Sequence, residues 1–242
     1  MANPKPPQLE KHTIADAPRA YSRTLWLQRG PAGQPQQLCL FLDGELYLTK
    51  MKVVPVLNEL IARGTLPPMT FAFISHSNMQ AREQDYTCND HFGRFIVERV
   101  VPWLERKVPD LRLGHHVIAG LSLSGLASTW LALQHPEHFP YCLCQSGSFW
   151  WKDEHLAKNA PQHAPVKNRF WLSVGDQETE VDNPPEVSQI VGVNNAVNVL
   201  KSLGGTVHYH EYHGGHDMEH WREELDQALH WLLNPNGAPP TR

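Results

Sequence analysis

Short apolar runs alternate along the chain with longer segments in which apolar residues recur at helical spacing. The apolar runs lie at 38–43, 71–75, 115–120, 141–146, 170–175 and 206–212, and the helical pattern lies at 52–64, 91–107, 124–135, 187–203 and 218–233. Near-continuous apolar strands separated by helices are typical of a parallel sheet that helices cover on both faces. The alternation therefore predicts an α/β fold, a three-layer sandwich with a mostly parallel central sheet.

The chain length fits a single folded domain. A chain of 242 residues is long enough to bury a substantial core. Both ends are rich in proline, so we expect a loosely ordered segment over 1–20, the folded domain over 21–234 and a tail over 235–242. The polar stretch at 151–169 is expected to be a surface excursion of this domain.

Composition and charge argue against several classes of partner. The formal net charge of -4 offers no broad basic field for nucleic acid. The N-terminus lacks the apolar run of a secretory signal, and no stretch approaches the roughly 20 apolar residues that span a bilayer. The four cysteines lack CxxC spacing and are expected to be reduced, mostly buried thiols. We expect a cytoplasmic protein with no nucleic-acid partner, no membrane partner and no cofactor.

The segment HHVIAGLSLSGLAS runs from a predicted strand directly into a predicted helix. This context is typical of a nucleophile elbow, in which a serine projects from a tight turn and the residues two before and two after it are small. Ser122 has Gly120 and Ser124 at these positions, whereas Ser124 as nucleophile would have the bulky Leu126. The alternative is a turn with a helix-capping serine. We therefore take Ser122 as the candidate nucleophile.

An acid and a histidine are expected to follow such a serine, in that chain order. His216 lies between the last predicted strand and the last predicted helix, where two preceding glycines give the backbone freedom to turn. The acid is expected in the loop after the preceding strand, and spacing alone does not separate the candidates there. Three carboxylates compete in that loop: Asp176, Glu178 and Glu180.

The remaining parts of such a site are backbone amides. The amide of Leu123, at the start of the predicted helix, is a candidate donor to an oxyanion. The loop after 38–43, which contains Gly44, is the candidate source of the second donor. An ordinary turn at Asp43 and Gly44 is the alternative.

A histidine-rich segment and an aromatic run also stand out. Five of the 15 histidines lie within 208–220. Metal ligands need convergent geometry, whereas alternation along a strand would place His208 and His210 on one face, and the solvent side of such a strand is ordinarily polar. We therefore predict no metal site. The run Phe149, Trp150, Trp151 follows a predicted strand and fits either the core or the wall of a pocket for aromatic rings.

Six blocks of sequence carry a resemblance to a known family. They are LDGELY at 42–47, Arg82-x-x-Asp85-Tyr86-x-Cys88-Asn89-x-x-Phe92, AGLSLSGLAS at 119–128, HPEHF at 135–139, QSGSFWW at 145–151 and GGHDMEHWR at 214–222. In these blocks the chain resembles the enterochelin (enterobactin) esterase family, one of the esterase D-like α/β-hydrolases. The resemblance covers most of 38–233 and implies the α/β-hydrolase fold. It also implies a small-molecule ester as substrate, such as a ferric catecholate siderophore, whose ester backbone a Ser-His-acid triad cleaves.

The resemblance also implies roles for individual residues. Ser122 would be the nucleophile, His216 the base and Glu178 the acid, since the residues at 175–178 match the family's Gly-x-x-Glu pattern. Gly44 falls at the oxyanion loop, and Arg82 falls where the family has an arginine facing the substrate.

Arg82 has a second interpretation. An ion pair of Arg82 with Asp85 or Glu83 is as compatible with the sequence as a role in substrate binding.

Family members usually have glycine where Ser124 stands, and the small serine is expected to leave the elbow intact. Many members also have a longer N-terminal region, which helps to cover the pocket.

Other functions fit the same residues. The main alternative is another acyl-group enzyme: a general ester or thioester hydrolase or an acyltransferase, similar to S-formylglutathione hydrolases or feruloyl esterases. A non-catalytic binding protein on a hydrolase scaffold is disfavoured, because the serine, the histidine and an acid are all present.

Overall fold

The centre of the computed structural model, which describes residues 9–179 and 188–234, is a twisted sheet of eight strands. The strands are β1 (Glu10–Asp16), β2 (Tyr21–Gln28), β3 (Gln37–Phe41), β4 (Met69–Ile74), β5 (Val117–Leu121), β6 (Tyr141–Gln145), β7 (Arg169–Gly175) and β8 (Thr206–Tyr212). They lie side by side in the order β1-β2-β4-β3-β5-β6-β7-β8. β2 is antiparallel to both neighbours, and all other pairs are parallel. The predicted α/β fold with a mostly parallel sheet is therefore confirmed.

Helices connect the strands. The α-helices of the described residues are α1 (Val53–Ala62), α2 (Met79–Tyr86), α3 (Asp90–Phe95), α4 (Val101–Lys107), α5 (Leu123–Gln134), α6 (Trp151–Asn159), α7 (Gln189–Ser202), α8 (Met218–Glu223) and α9 (Leu225–Leu233). A π-helical turn, Ile96–Val100, joins α3 to α4, and another, Leu46–Lys50, follows β3. The six predicted strands correspond to β3 through β8. Across the described ranges, no helix is long and apolar enough to cross a membrane.

The parallel strands are apolar on both sides because helices cover both faces of the sheet. Along β3, Leu38 and Leu40 belong to one core, and Cys39 and Phe41 belong to the other. All four side chains are completely buried. Helices α3, α4, α5 and α7 pack on the first face, and α1 and α9 pack on the second. This arrangement is the three-layer sandwich that the sequence predicts.

The expectation of a loosely ordered segment over 1–20 is wrong for Glu10–Asp16, which form β1. All seven residues of β1 pair with β2, and Ile14 and Asp16 are buried. The sheet therefore begins before residue 21. This strand is not recognisable from composition, because most of its side chains are polar and only one face of it is covered. Residues 1–8 and the predicted tail 235–242 lie outside the described residues.

The expectation of a surface excursion over 151–169 is wrong in part. The segment forms α6 and a short 3-10 helix, Ala160–His163. Leu156, Ala160 and Val166 are buried in the first core. Their wide spacing among lysine, histidine and proline residues concealed this buried face. The expectation for the cysteines agrees with the structure, because all four are free thiols and three of them are buried.

Candidate active site

Ser122 occupies the tight turn between β5 and α5. Its backbone angles, φ 53° and ψ -122°, lie in a region that residues other than glycine rarely adopt. Its carbonyl accepts hydrogen bonds from the amides of Gly125 and Ser148, both at 3.0 Å. A Cβ atom at Gly120 would lie 2.0 Å from the carbonyl oxygen of Ser124, so only glycine fits there. The local geometry is therefore that of a nucleophile elbow.

Ser124, the competing serine, is completely buried. Its Oγ accepts a hydrogen bond from the Leu121 amide at 2.9 Å and lies 2.8 Å from the Leu121 carbonyl, to which it donates. These bonds fasten the first turn of α5 to the end of β5. The hydroxyl is therefore occupied within the elbow, and the small side chain leaves the turn intact.

The loops after β7 and β8 bring Glu178 and His216 together. Oε2 of Glu178 lies 2.6 Å from Nδ1 of His216. The side chain of Glu178 is 3% exposed, whereas that of His216 is 44% exposed. A buried carboxylate thus orients one side of an imidazole whose other side remains accessible, which is the relationship that a general base requires.

Backbone hydrogen bonds tie these two loops together beyond the ends of their strands. The Asp176 amide donates to the Tyr212 carbonyl, and the Gln177 amide donates to the Gly214 carbonyl, both at 2.9 Å. A Cβ atom at Gly175 would lie 2.2 Å from the Gly214 carbonyl oxygen, so the close approach requires glycine. The pairing of β7 with β8 therefore continues into the loops that carry Glu178 and His216.

The second oxygen of Glu178 is also fully engaged. Oε1 accepts hydrogen bonds from Ser146 Oγ at 2.7 Å, the Gly175 amide at 2.8 Å and Tyr212 OH at 3.1 Å. Burial opposes ionisation, but the hydrogen bonds from His216 and from these donors outweigh it and hold the pKa of Glu178 below its usual value. The carboxylate is therefore charged and fixed in orientation.

Trp221 links His216 to the groups that hold Glu178. Its indole meets the imidazole of His216 edge to face, with ring centroids 4.7 Å apart. Its Nε1–H group lies 2.9 Å from Tyr212 OH and 3.0 Å from Ser146 Oγ. The indole is buried, so these contacts are shielded from water.

Asp176, a second candidate acid, is directed to His213 and not to His216. Asp176 has Oδ2 2.9 Å from Nδ1 of His213 and accepts a hydrogen bond from the Gly214 amide at 3.0 Å. Its side chain is 40% exposed. Glu180 lies outside the described residues.

Ser122 and His216 line one cavity of about 310 Å³, which we call the Ser122 pocket. This volume lies at the lower end of the range for small-molecule sites. The walls are mostly apolar, with charged groups on one side. The other lining residues are Leu46, His76, Met79, Arg82, Leu121, Met218 and Trp221.

Arg82 lines the Ser122 pocket and is held by Asp43. Its Nε lies 2.9 Å from both carboxylate oxygens of Asp43, and its Nη2 lies 2.7 Å from Oδ2. Neither ion pair considered from the sequence is present among the described residues, because Asp85 pairs with Arg23 and Arg82 pairs with Asp43. Arg82 therefore combines a structural ion pair with a place in the pocket wall.

His76 adds a second basic group beside Arg82. Its Nδ1 lies 2.9 Å from Asp43 Oδ1 and 3.2 Å from Glu45 Oε2. The adjacent Asp43 carboxylate raises the pKa of His76 against the opposing effect of burial. Burial opposes the charge on Asp43 in turn, but the adjacent His76 and the hydrogen bonds from Arg82 hold its pKa below the usual value. Two basic and two acidic side chains thus form a balanced cluster at the pocket wall.

The candidate oxyanion donors lie on two sides of the elbow. Leu123 is the first residue of α5, and amides of a first helical turn have no partner inside the helix. Gly44 is pressed against the end of β4, where a Cβ atom would lie 2.9 Å from the Ile74 carbonyl oxygen. Leu46, from the same loop, lines the Ser122 pocket. The role of both amides as oxyanion donors stays a prediction.

Glu224 is a buried carboxyl group beneath the site. It accepts hydrogen bonds from Gln145 Nε2 and Ser173 Oγ, both at 2.7 Å, and from Trp171 Nε1 at 3.1 Å. Burial nevertheless raises the pKa of Glu224 from 4.5 to about 7. Gln145 also accepts a hydrogen bond from Tyr47 OH at 2.9 Å, so this network links β6 to the loop after β3.

The raised pKa of Glu224 predicts a pH-dependent stability. Between pH 4.5 and about 7, the unfolded chain has released this proton and the folded chain retains it, so stability falls as pH rises through that window. We expect the free energy of unfolding of the native chain, relative to Glu224→Gln, to decrease by about 3 kcal/mol across the window. Urea unfolding at several pH values measures this difference. A pH-independent difference would contradict the prediction, and Glu223→Gln, at the exposed neighbour, is the matched control.

The histidine-rich segment forms no metal cluster in the described residues. No group of three or more histidine, cysteine, aspartate or glutamate side chains there could hold a metal ion. His208 and His210 both contact the ring of Trp171, with centroid distances of 4.2 and 5.5 Å. The two histidines therefore lie on one face of β8, as the alternation of the strand predicts.

Sequence reasoning missed several side chains of this site. Two of them, Ser146 and Tyr212, end predicted apolar runs at the carboxyl edge of the sheet, where the sites of open α/β folds lie. That position was the signal that could have identified them. His76 and Trp221 carry no such local pattern, because their contacts join distant segments of the chain.

Comparison with known proteins identifies relatives of this chain. A family model described as a putative esterase matches residues 18–232. The chain is 28% identical over 244 residues to the iron(III) enterobactin esterase of Dickeya dadantii, covering 94% of this chain and 56% of that protein. It is 29% identical over 223 residues to the corresponding protein of Escherichia coli K12, covering 88% and 54%. The chain thus spans about half the length of the curated relatives that it matches.

A solved structure of an enterobactin esterase is also similar to this chain. The crystal structure of the enterobactin esterase from Shigella flexneri, determined in the presence of enterobactin, superimposes with a TM-score of 0.83 at 26% identity, covering 94% of this chain and 59% of that one. The resemblance drawn from the six sequence blocks is confirmed by these matches. This chain belongs to the putative esterase family.

Proposed function

We propose that this chain is a serine ester hydrolase in which Ser122 is the nucleophile, His216 the general base and Glu178 the orienting acid. The observation that carries the proposal is the 2.6 Å contact between Glu178 and His216, at the wall of a cavity that Ser122 also lines. The strained backbone at Ser122 and the chain order of the three residues support it further.

Acyl transfer to the enzyme is the first half of the proposed reaction. Ser122 Oγ attacks the ester carbonyl carbon while Nε2 of His216 takes the hydroxyl proton. The resulting oxyanion accepts hydrogen bonds from the amides of Leu123 and Gly44. When the ester C–O bond breaks, His216 returns the proton to the departing alkoxide, which leaves as the alcohol.

Hydrolysis of the acyl-serine completes the cycle. His216 takes a proton from a water molecule, whose oxygen attacks the acyl carbonyl carbon. The acyl–Oγ bond then breaks, Ser122 recovers its proton from His216, and the carboxylic acid leaves. In both halves, the charge on Glu178 stabilises the imidazolium form and keeps Nδ1 protonated.

We further propose that the substrate is a catecholate siderophore ester, free or loaded with iron. The curated relatives are iron(III) enterobactin esterases, and this supports the same substrate class for the present chain. Arg82 is the candidate contact for anionic catecholate oxygens. Its Nε and one Nη2–H group are directed to Asp43, so the Nη1 hydrogens and the second Nη2 hydrogen are the donors proposed to meet a ligand.

A comparison of substrates on native and variant protein tests this proposal. We expect the native chain to cleave the cyclic trilactone of dihydroxybenzoylserine with a higher kcat/KM than a short acyl ester, a feruloyl ester or S-formylglutathione. Arg82→Gln is expected to raise KM for the anionic trilactone about tenfold relative to the neutral short ester, the scale of a lost hydrogen bond to a charged group.

The control must separate charge from stability. Arg82→Gln also leaves the buried Asp43 without its guanidinium, which is expected to cost about 3 kcal/mol of stability. Arg23→Gln breaks a comparable ion pair, with Asp85, that does not line the Ser122 pocket. It should reduce stability while the ratio of the two KM values stays unchanged. Equal ratios in both variants would restrict Arg82 to the scaffold, and preferred cleavage of S-formylglutathione would favour the thioester alternative.

A further inference from the structure

A second cavity of about 450 Å³ adjoins the Ser122 pocket. The two cavities share Met79 and Arg82 as lining residues, so they are neighbours on either side of these side chains. Leu123, the residue after Ser122, lines the second cavity as well. We call this space the aromatic cleft, because the indoles of Trp150 and Trp151 form its remaining wall together with polar side chains of α2 and Thr87.

Contacts within the protein hold the indoles of Trp150 and Trp151 in place. Nε1 of Trp150 donates to Gln189 Oε1 at 2.6 Å, so the polar edge of this ring is satisfied within the protein. Trp151 meets the ring of His155 edge to face at 5.5 Å. Both tryptophans are half-buried. Two large rings whose far edges are fixed, and which remain partly accessible, present a rigid apolar surface to a ligand.

The backbone after the tryptophans is held in a costly conformation. Lys152, Asp153 and Glu154 have φ values of 48°, 54° and 59°, which is the left-handed region. Residues with a Cβ atom are disfavoured in this region by steric contact with the following carbonyl oxygen. Asn195 on α7 anchors the turn by donating to Glu154 at 2.6 Å. Strain of this kind persists where the surrounding structure enforces it, and it concentrates at ligand sites.

The charges at the cleft balance each other. Arg82 and Glu83 both line it, with opposite signs. Lys152 Nζ lies 5.7 Å from the centre of the Trp151 ring, on the exposed side of the turn. The cleft therefore offers ring faces rather than net charge, and it favours an occupant that is planar and aromatic.

We propose that the aromatic cleft binds an aromatic ring of the ester substrate while the scissile carbonyl lies at Ser122. This inference rests on the proposed ester hydrolysis and adds the subsite that selects the substrate. The ring lies against Trp150 and Trp151, and the linker between ring and ester passes Met79 and Arg82. Burial of a flat ring on two fixed indoles stabilises the complex without ordering any further side chain.

Two matched esters test the cleft. The methyl esters of N-benzoylserine and N-acetylserine differ only in the ring, so the ratio of their kcat/KM values reports on ring binding. We expect the native chain to prefer the benzoyl ester, and Trp151→Leu, which keeps an apolar side chain, to reduce the ratio about tenfold. Trp103→Leu is the control, since Trp103 is also half-buried beside one histidine and one lysine but lies outside the cleft.

A binding measurement keeps this test separate from catalysis. In the Ser122→Ala background, calorimetry should give a dissociation constant for the benzoyl ester about tenfold higher after Trp151→Leu and unchanged after Trp103→Leu. Absence of hydrolysis by the native chain would refute the proposed function, and the binding comparison would still decide the cleft. An unchanged ratio and an unchanged dissociation constant in Trp151→Leu, or equal losses in the two tryptophan variants, would overturn the inference.

Discussion

Replacing Ser122 with alanine is expected to reduce the turnover of ester substrates by about 10⁴-fold or more, because removal of a serine nucleophile leaves only binding and oxyanion stabilisation. Covalent labelling by a fluorophosphonate should disappear in the same variant, since the probe reacts with the activated hydroxyl. Activity assays and mass spectrometry of the labelled protein measure the two effects. The fold should persist, because alanine occupies the same backbone conformation with a smaller side chain.

Ser124→Ala is the matched control for this experiment. It removes a hydroxyl from the same motif, two residues away, but that hydroxyl binds the backbone of Leu121. The variant should lose some stability, about 1 kcal/mol for each lost hydrogen bond, and keep its labelling. Labelling that survives in Ser122→Ala and vanishes in Ser124→Ala would reverse the assignment of the nucleophile.

Glu178→Gln is expected to lower kcat by about 10³-fold to 10⁴-fold, because the amide does not stabilise the imidazolium and can favour the wrong tautomer of His216. The loss should appear in kcat rather than in KM, since the carboxylate is buried behind the imidazole and does not line the Ser122 pocket. Steady-state kinetics with a small activated ester measures both constants.

Asp176→Asn provides the comparison. Asp176 lies in the same loop, two residues earlier, but it is half exposed and directed to His213. Its replacement is expected to change kcat by less than about threefold, as for a surface substitution outside the site. Losses of similar size in the two variants would show that Glu178 has no special role.

The central strands could be predicted from sequence because their burial is symmetrical. β3 through β7 are apolar on both faces, so each appears as a nearly continuous apolar run. β1 is covered on one face only and contains two buried residues among seven, which is too weak a pattern to distinguish from a polar segment. α2 was missed for a related reason, since only its last two residues are buried.

The residues of the candidate site also differ in how far they could be predicted, because some lie in local sequence patterns and others depend on contacts between distant segments. Ser122 and His216 could be proposed from sequence because the strand-to-helix turn and the glycine-rich loop are local patterns. The choice of Glu178 over Asp176 depends on the direction and depth of side chains in a loop, which spacing does not encode. The partner of Arg82 is Asp43, 39 residues earlier and on another loop, so the contact exists only in the folded chain.

Because the pairing continues between the loops after β7 and β8, one part of the protein positions Glu178 against His216 and other parts form the pocket. Because backbone bonds at Asp176 and Gln177 extend the ladder, the distance between acid and base is fixed by the register of the sheet. The pocket walls come from other parts, chiefly the loop after β3, α2 and α8. Substitutions in the loop after β3 and in α2 can change the shape of the pocket without moving His216 relative to Glu178, whereas Trp221 on α8 contacts His216 directly. The pocket can thus vary in shape during evolution while the contact between Glu178 and His216 is preserved.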